Sequence, residues 1–353
     1  MKISKKIIAL VLVLSLVLIL GACTPAGTDE PDPETTSSDV RAVKTQVAVQ
    51  KGSLGIGIAK LKADRAYAYD VSYLETGEEV EKRIIDGSAD IAVLPIDRAV
   101  SIYNQTDGGV RIIAINTLGS LQVLERGSKE ITEPGMLSGK KVYTSGKGTL
   151  EDAVIRSILS ENGVKEDVLE YTETYDELVA LAKEGKADVC IMPEPYVTDL
   201  RYATNPVVKE NESRTPEQEA EIEAQFPTEN RWKKVLNISK LWKEAQGEEL
   251  AYGCVVARTE YIAENPEIIS EFLIFNEVSI NWLGVSEDSL GLLLEEKMYS
   301  DYAIASASYN SSNIKYIEGK EMKAAVEKTL SVLSSAAPDL FGTEQPADIC
   351  YIA

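Results

Sequence analysis

The chain has 353 residues, with 57 acidic against 36 basic side chains, a net charge of −21, four cysteines and no histidine. The acidity argues against nucleic acid and anionic lipid surfaces as partners. The missing histidine excludes a Ser-His-Asp triad, a Cys-His pair, an imidazole base and every zinc site that needs imidazole. Chemistry would have to rest on carboxylates, lysines or tyrosines, and no motif asks for a cofactor or a metal.

At the N-terminus, Lys2, Lys5 and Lys6 precede an apolar run over 7–20 that ends in Leu20, Gly21, Ala22, Cys23. The run is short for a membrane span, which needs about 20 apolar residues, and reads as a signal peptide over 1–22. Leucine three places before a cysteine, with two small residues between, matches the bacterial lipobox. Cys23 is therefore expected to take a diacylglycerol, become the mature N-terminus and anchor the protein to the outer face of the cell membrane. Residues 24–38 are rich in Thr, Ser, Pro, Asp and Glu and read as spacer, so that lipidated terminus and spacer together occupy 23–42.

About 310 residues remain, enough for two domains with a core each. Apolar strands at 47–49, 71–73, 91–94 and 111–115 alternate with helical stretches at 54–63 and 78–86. A second set follows, with strands at 141–143, 168–171, 189–192 and 235–238 and helices at 151–162 and 175–184. This alternation is α/β grammar. The sets are related: Glu79, Val80, Gly87, Ala89, Asp90 and Pro95 recur 98 positions later as Glu177, Leu178, Gly185, Ala187, Asp188 and Pro193. Likewise Lys51, Gly52, Ser53, Leu54 is echoed by Lys147, Gly148, Thr149, Leu150. Each echo lies between a first strand and a first helix, where open α/β sheets bind ligands, and its Ser or Thr is placed to cap that helix.

Beyond the second set the reading is one strand at 254–257 and helices at 261–283, 287–297 and 319–334, with Asn265-Pro266 starting a helix. These helices need a sheet to cover. The expected topology sends the chain into lobe II near 121–125 and returns it near 253–257. Lobe I then comprises 43–122 plus 254–353, lobe II comprises 123–253, and a two-segment hinge lets them close on a ligand. The Glu-rich stretch 209–229 reads as a solvated excursion. Of the remaining cysteines, Cys190 and Cys254 read as small residues in buried strands; one disulfide among these two and Cys350 is compatible with the sequence, which does not assign it.

Several segments resemble the solute-binding lipoproteins of ABC importers in the class that handles nitrate, alkanesulfonates, taurine and thiamine-pyrimidine precursors. They are Gly87, Ala89, Asp90, Ile91, Ala92, Leu94, Pro95; Leu137, Gly139, Lys140, Val142, Tyr143, Gly146, Gly148; Gly185 to Asp188 with Pro193, Glu194, Pro195, Val197, Thr198; Gly253 to Val256; and Gly319, Glu321, Met322, Lys323. The resemblance implies a type II periplasmic-binding-protein fold, a cleft ligand, an ABC permease as partner and a monomer. The chain departs from it at Asp97, where relatives carry a small or amide residue, and at Thr149, Leu150, Glu151, where they carry Thr-Pro-Glu.

Candidate ligand contacts are the Lys51, Gly52, Ser53 loop and the Ser145, Gly146, Lys147, Gly148, Thr149 loop, which offer amides, hydroxyls and a cation to an anion. Leu94, Pro95 and Asp97 leave one strand at the cleft, and Glu194 and Tyr196 leave its counterpart. Asn116 and Thr117, at the first crossing, either face ligand or hold the hinge. Asp97 and Glu194 favour an amine, Lys51 and Lys147 an anion; a zwitterion or polar heterocycle satisfies both. Asp90 and Asp188 read as satisfied turn carboxylates rather than catalytic groups. The expected role is a solute receptor that binds without turnover. The alternatives are a ligand-sensing lipoprotein and an enzyme on the same fold.

Overall fold

The computed structural model describes residues 43–353 except 128–129, 205–214, 284–287, 300, 342–345, 347 and 353. The signal peptide, Cys23, the spacer and the start of the Glu-rich excursion lie outside the described residues.

Two open sheets organise the chain. Sheet I contains β1 (Thr45–Gln50), β2 (Tyr69–Leu74), β3 (Ile91–Pro95) and β4 (Val110–Thr117). Sheet II contains β5 (Gln122–Arg126), β6 (Val142–Ser145), β7 (Leu169–Thr172), β8 (Val189–Met192) and β9 (Trp232–Asn237). Sheet I is completed by β10 (Gly253–Arg258) and β11 (Ile314–Ile317). The strand orders are β11-β4-β10-β3-β1-β2 and β7-β6-β8-β5-β9. Without the edge strand β11 the two orders are equivalent. Each sheet has three parallel strands, then one antiparallel strand that has just crossed from the other lobe, β10 in sheet I and β5 in sheet II.

The sequence repeat is the visible trace of this symmetry. Thr76 starts the helix Gly77–Ile85 with a capping box to Glu79, and Thr174 caps Tyr175–Lys183 by accepting from the Glu177 amide. Gly87 and Gly185 then turn the chain at φ +77° and +72°, a conformation that costs a residue with a Cβ. Ala89 and Ala187 are buried behind the turns. Asp90 and Asp188 are ion-paired: Asp90 accepts from Arg258 at 2.8 Å and from the Gln46 amide at 2.9 Å, and Asp188 from Arg126 Nε at 2.9 Å. Those arginines end the two crossing strands, so the same lock joins a turn to an antiparallel strand in each lobe. The strands β3 and β8 are buried on both faces, which is why they read as apolar runs without alternation.

Three local expectations need correction. The helix expected over 54–63 is two pieces, Ser53–Ile56 and Ala59–Asp64. Gly55 and Gly57 weaken the helix, and their bare backbone lies where a Cβ would come within 2.9 Å of Tyr73 and of Ile280 respectively. After Pro95 the chain enters a helix at once, Ile96–Gln105, with Pro95 in the extended N-cap position and Ile96, Ala99, Val100 and Ile102 buried. Finally β11, unforeseen in the sequence, pairs antiparallel with β4.

The helix Pro266–Leu283 covers sheet I through Ile269, Phe272, Leu273 and Ile280, and Gly319–Ala336 buries Met322, Val326, Leu330 and Leu333. The helix Pro216–Gln225 in the excursion buries no residue among those described. Among the described residues no helix is long and apolar enough to cross a membrane. Cys190, Cys254 and Cys350 are free thiols, the first two buried in strands.

Candidate functional site

The carboxyl ends of the strands in both sheets meet where the chain crosses between them. The crossing from β4 to β5 runs over Leu118, Gly119, Ser120 and Leu121. The return passes through Leu250, Ala251 and Tyr252 into β10. The first crossing is pinned: Ser239 Oγ donates to the Leu118 or Gly119 carbonyl at 2.9 Å, and the Leu118 amide and the Asn313 side-chain amide exchange bonds with the Asn313 carbonyl and the Gly119 carbonyl at 3.0 Å. Gly119, at φ +81°, leaves room for the Tyr252 ring, which would stand 3.0 Å from a Cβ there.

Against this frame each expected contact has a definite place. In the first loop Lys51 pairs with Glu75 at 2.9 Å, Gly52 turns at φ +92°, and Ser53 opens a four-residue helix with no side-chain cap. In the echo of this loop Ser145 donates to the Thr172 carbonyl at 3.2 Å, and Thr149 donates to the Gly146 carbonyl at 2.6 Å rather than accepting from the helix. The Gly148 amide is taken by Asp152 Oδ2 at 2.9 Å, while Asp152 Oδ1 accepts from the Tyr171 hydroxyl at 2.6 Å. Lys147 is exposed, its ammonium 5.3 Å from the Tyr171 ring centre. The first loop therefore pairs its own charge, and the second engages its Gly148 amide while its Lys147 ammonium lies over the Tyr171 ring. The capping expected of Ser53 and Thr149 is absent because one helix is too short and the other hydroxyl closes the turn behind it.

The residues that follow β3, β4 and β8 behave differently. Leu94 is buried in the core and Pro95 half-buried. Asp97 is 8% exposed, and its Oδ1 has no partner. Burial first, and then the Glu151 carboxylate, push its pKa up to about 6. Asn116 is fully buried; its amide nitrogen donates to the Leu54 carbonyl at 2.7 Å, which fixes the amide orientation and leaves Oδ1 as an unpartnered acceptor. Thr117 bonds to backbone of the crossing and of Ser312 and Asn313, so its hydroxyl holds the hinge. Glu194 is 4% exposed; its Oε2 accepts from the Thr198 amide at 3.1 Å, Oε1 has no partner, and burial raises its pKa. The Glu194 amide donates to Ser120 Oγ at 3.1 Å, which ties β8 to the crossing. Tyr196 is half-buried with its ring 5.3 Å from that of Tyr175.

Sequence reasoning missed Tyr252 and Glu151 as a pair. The Tyr252 hydroxyl donates to the Glu151 carboxylate, tying the return crossing to the first turn of the helix Leu150–Glu161. The Tyr252 carbonyl accepts from the Ile96 amide at 3.0 Å, which sets the ring beside Asp97. Tyr175, whose hydroxyl is buried beside Thr144, completes the group, since the charge of Glu151 bears on both tyrosines. An aromatic residue directly before the returning glycine of a crossing strand was the available signal. By contrast, a surface groove of about 370 Å³ lined by Arg126, Lys140, Lys141, Lys186, Glu125 and Asp188 lies at the opposite ends of the strands of sheet II.

Two sheets joined by crossings, with buried polar atoms gathered at their strand ends, define a two-lobed type II periplasmic-binding-protein fold. The NMT1/THI5-like family matches residues 69–283, and the chain belongs to that family. Solved structures sharing the fold include an ABC transporter from Parabacteroides distasonis, 17% identical over 87% of this chain and 98% of that one, with a TM-score of 0.69. The periplasmic aliphatic sulphonate binding protein SsuA from Escherichia coli is 14% identical over 87% and 90%, with a TM-score of 0.63. The alkanesulfonate-binding protein SsuA from Xanthomonas axonopodis pv. citri, bound to MOPS, is 12% identical over 88% and 98%, with a TM-score of 0.58. No curated protein matches the chain.

Proposed function

We propose that the protein is the extracytoplasmic solute receptor of an ABC importer, which traps a small polar molecule between its lobes and hands it to a membrane permease. The observation that carries this reading is the set of buried, unpartnered polar atoms at the strand ends: Asp97 Oδ1 and Asn116 Oδ1 from lobe I and Glu194 Oε1 from lobe II. Buried polar groups are nearly always partnered, and a bound solute supplies the partners. The names borne by the solved structures of the same fold, an ABC transporter and two sulfonate-binding proteins, support the same role.

In this reading lobe I comprises 43–122 plus 254–353 and lobe II comprises 123–253, and the two segments between them are the hinge. Cys23 carries the lipid that holds a monomeric receptor at the outer face of the membrane, close to its permease. Binding without turnover follows from the side chains gathered at the site, carboxylates, an amide and tyrosines, which include no nucleophile paired to a base. A thermal-shift panel of amines, amino acids, sulfonates, nitrate and pyrimidines, with each responding compound recovered and analysed, tests this. A receptor returns its solute unchanged after a shift of several degrees; recovery of a converted product contradicts it.

A further inference from the structure

We propose that the solute carries an N–H-bearing organic cation, an ammonium or guanidinium, which binds between Asp97 of lobe I and Glu151 of lobe II and thereby drives closure. This inference rests on the receptor reading above and narrows it to one ligand class.

The first argument is charge. Asp97 follows β3 in sheet I and Glu151 lies in the first turn of the lobe II helix Leu150–Glu161. Tyr252 joins them, its carbonyl accepting from the Ile96 amide beside Asp97 and its hydroxyl donating to Glu151, whose charge helps to raise the Asp97 pKa. Near Asp97 the basic side chain is Arg98, and its guanidinium is turned to Glu81 at 3.2 Å. Glu151 is held by the Tyr252 hydroxyl, a neutral donor. Arg98 offsets part of the Asp97 charge while its guanidinium bonds to Glu81. Glu194 has two such cations, Lys234 and Arg201, acting against the effect of burial.

The second argument is hydrogen bonding. Asp97 is more than nine-tenths buried with Oδ1 unpartnered, and so is Asn116, whose amide orientation is fixed by its bond to the Leu54 carbonyl. Both orphans are acceptors. A ligand that satisfies them must bring donors, which ammonium and guanidinium groups do and a sulfonate or nitrate does not.

A third point concerns what an anion would need. Two groups of the glycine loops that look like anion cradles are engaged by the protein, the Gly148 amide by Asp152 and the Lys51 ammonium by Glu75, while the Lys147 ammonium lies over the Tyr171 ring. An anion entering the cleft would compete for the first two and meet the carboxylates Asp97 and Glu151.

The placement also explains how binding couples to motion. Two carboxylates facing each other from opposite lobes resist closure, and a ligand shifts a conformational equilibrium only through its differential interaction with the two states. A cation between Asp97 and Glu151 is held by both in the closed form and by one in the open form. The Tyr252 ring borders this pair from the hinge, and the Tyr175 ring, which senses the Glu151 charge, is available for the cation to pack on.

The test is calorimetric titration of the purified protein at pH 8 with methylammonium, ethanolammonium, putrescine and agmatine, and in parallel with methanesulfonate and nitrate. The expected result is binding of at least one cation at sub-millimolar Kd, weakened tenfold or more by both Asp97→Asn and Glu151→Gln, with no response to the anions. A cooperative thermal transition in both variants shows that they remain folded. Binding of methanesulfonate or nitrate with silence to all four cations overturns the cation assignment and leaves the receptor reading standing. Silence to both sets overturns the assignment, and the receptor reading then fails only if the wider thermal-shift panel is silent too. A cation that binds equally well to both variants places its site elsewhere and also overturns the proposal.

Discussion

At Asp97 the interests of folding and of binding are opposed. The folded carboxyl titrates at about 6, above its ordinary value, because burial and Glu151 penalise the charged form. The groups around it include Glu151, Arg98, Tyr252 and Cys254; of these Arg98 favours ionisation, as does the Asp97 backbone amide. With the folded pKa raised, the penalty is absent below the unfolded value near 4, grows as pH climbs toward 6, and is constant above it. Asp97→Asn should therefore stabilise the unliganded protein at pH 8, by on the order of 1–3 kcal/mol, and give no gain at pH 4. Urea unfolding at the two pH values measures this, and an equal effect at both would place the strain elsewhere. Gly253 shows the opposite kind of constraint. A Cβ there would lie 2.2 Å from Leu54 Cδ2 and 2.5 Å from Thr117 Cγ2, against residues that hold Asn116 in place. Gly253→Ala should cost about 1–3 kcal/mol by overpacking, read as a lowered denaturation midpoint with the m-value unchanged.

Among the elements, the turn and crossing-strand locks repeat in form but not in environment. Asp90 is half-buried and bonded to both Arg258 and the Gln46 amide, whereas the Asp188 side chain is 74% exposed. Asp90→Ala should thus cost about 1–3 kcal/mol and Asp188→Ala under about 1 kcal/mol, an ordering that parallel thermal melts would reveal. The repeat was legible because turns and caps are local chemistry: Thr76 and Glu79, Gly87, Ala89 and Asp90 announce themselves in sequence. Strand identity in β3 and β8 was legible from their apolar runs. The helix after Pro95 was not, since proline ends a strand and begins a helix equally well. Nor was β11, whose short run Ile314–Ile317 gains its meaning only from the edge of β4. The site was half legible. Asp97, Asn116 and Glu194 could be placed by position after strands, but the internal neutralisation of Lys51 by Glu75 and of the Gly148 amide by Asp152 depends on contacts that spacing does not encode. The Tyr252–Glu151 bond spans about a hundred residues of sequence, from the return crossing to a lobe II helix, and only folding brings it together.

For the molecule as a whole, acting as a solute receptor, the two crossings and the Tyr252–Glu151 bond are the elements expected to set the balance between open and closed forms. Removing the hydroxyl in Tyr252→Phe takes away one charge-assisted bond between the return crossing and the lobe II helix Leu150–Glu161 while sparing the ring against Gly119. The unliganded variant should be more open, with a larger radius of gyration by small-angle scattering, and should recover compactness when solute is added. An unchanged radius would mean that the bond does not set lobe spacing.

The most direct test of the receptor function is the mass of the purified protein under native and then denaturing conditions, before and after incubation with a mixture of small organic solutes. A receptor should hold one solute per chain non-covalently, release it on unfolding, and release it chemically intact. Exposure to the mixture that leaves the folded protein bare, or that returns a transformed solute, would contradict the assignment of the cleft as a reversible trap.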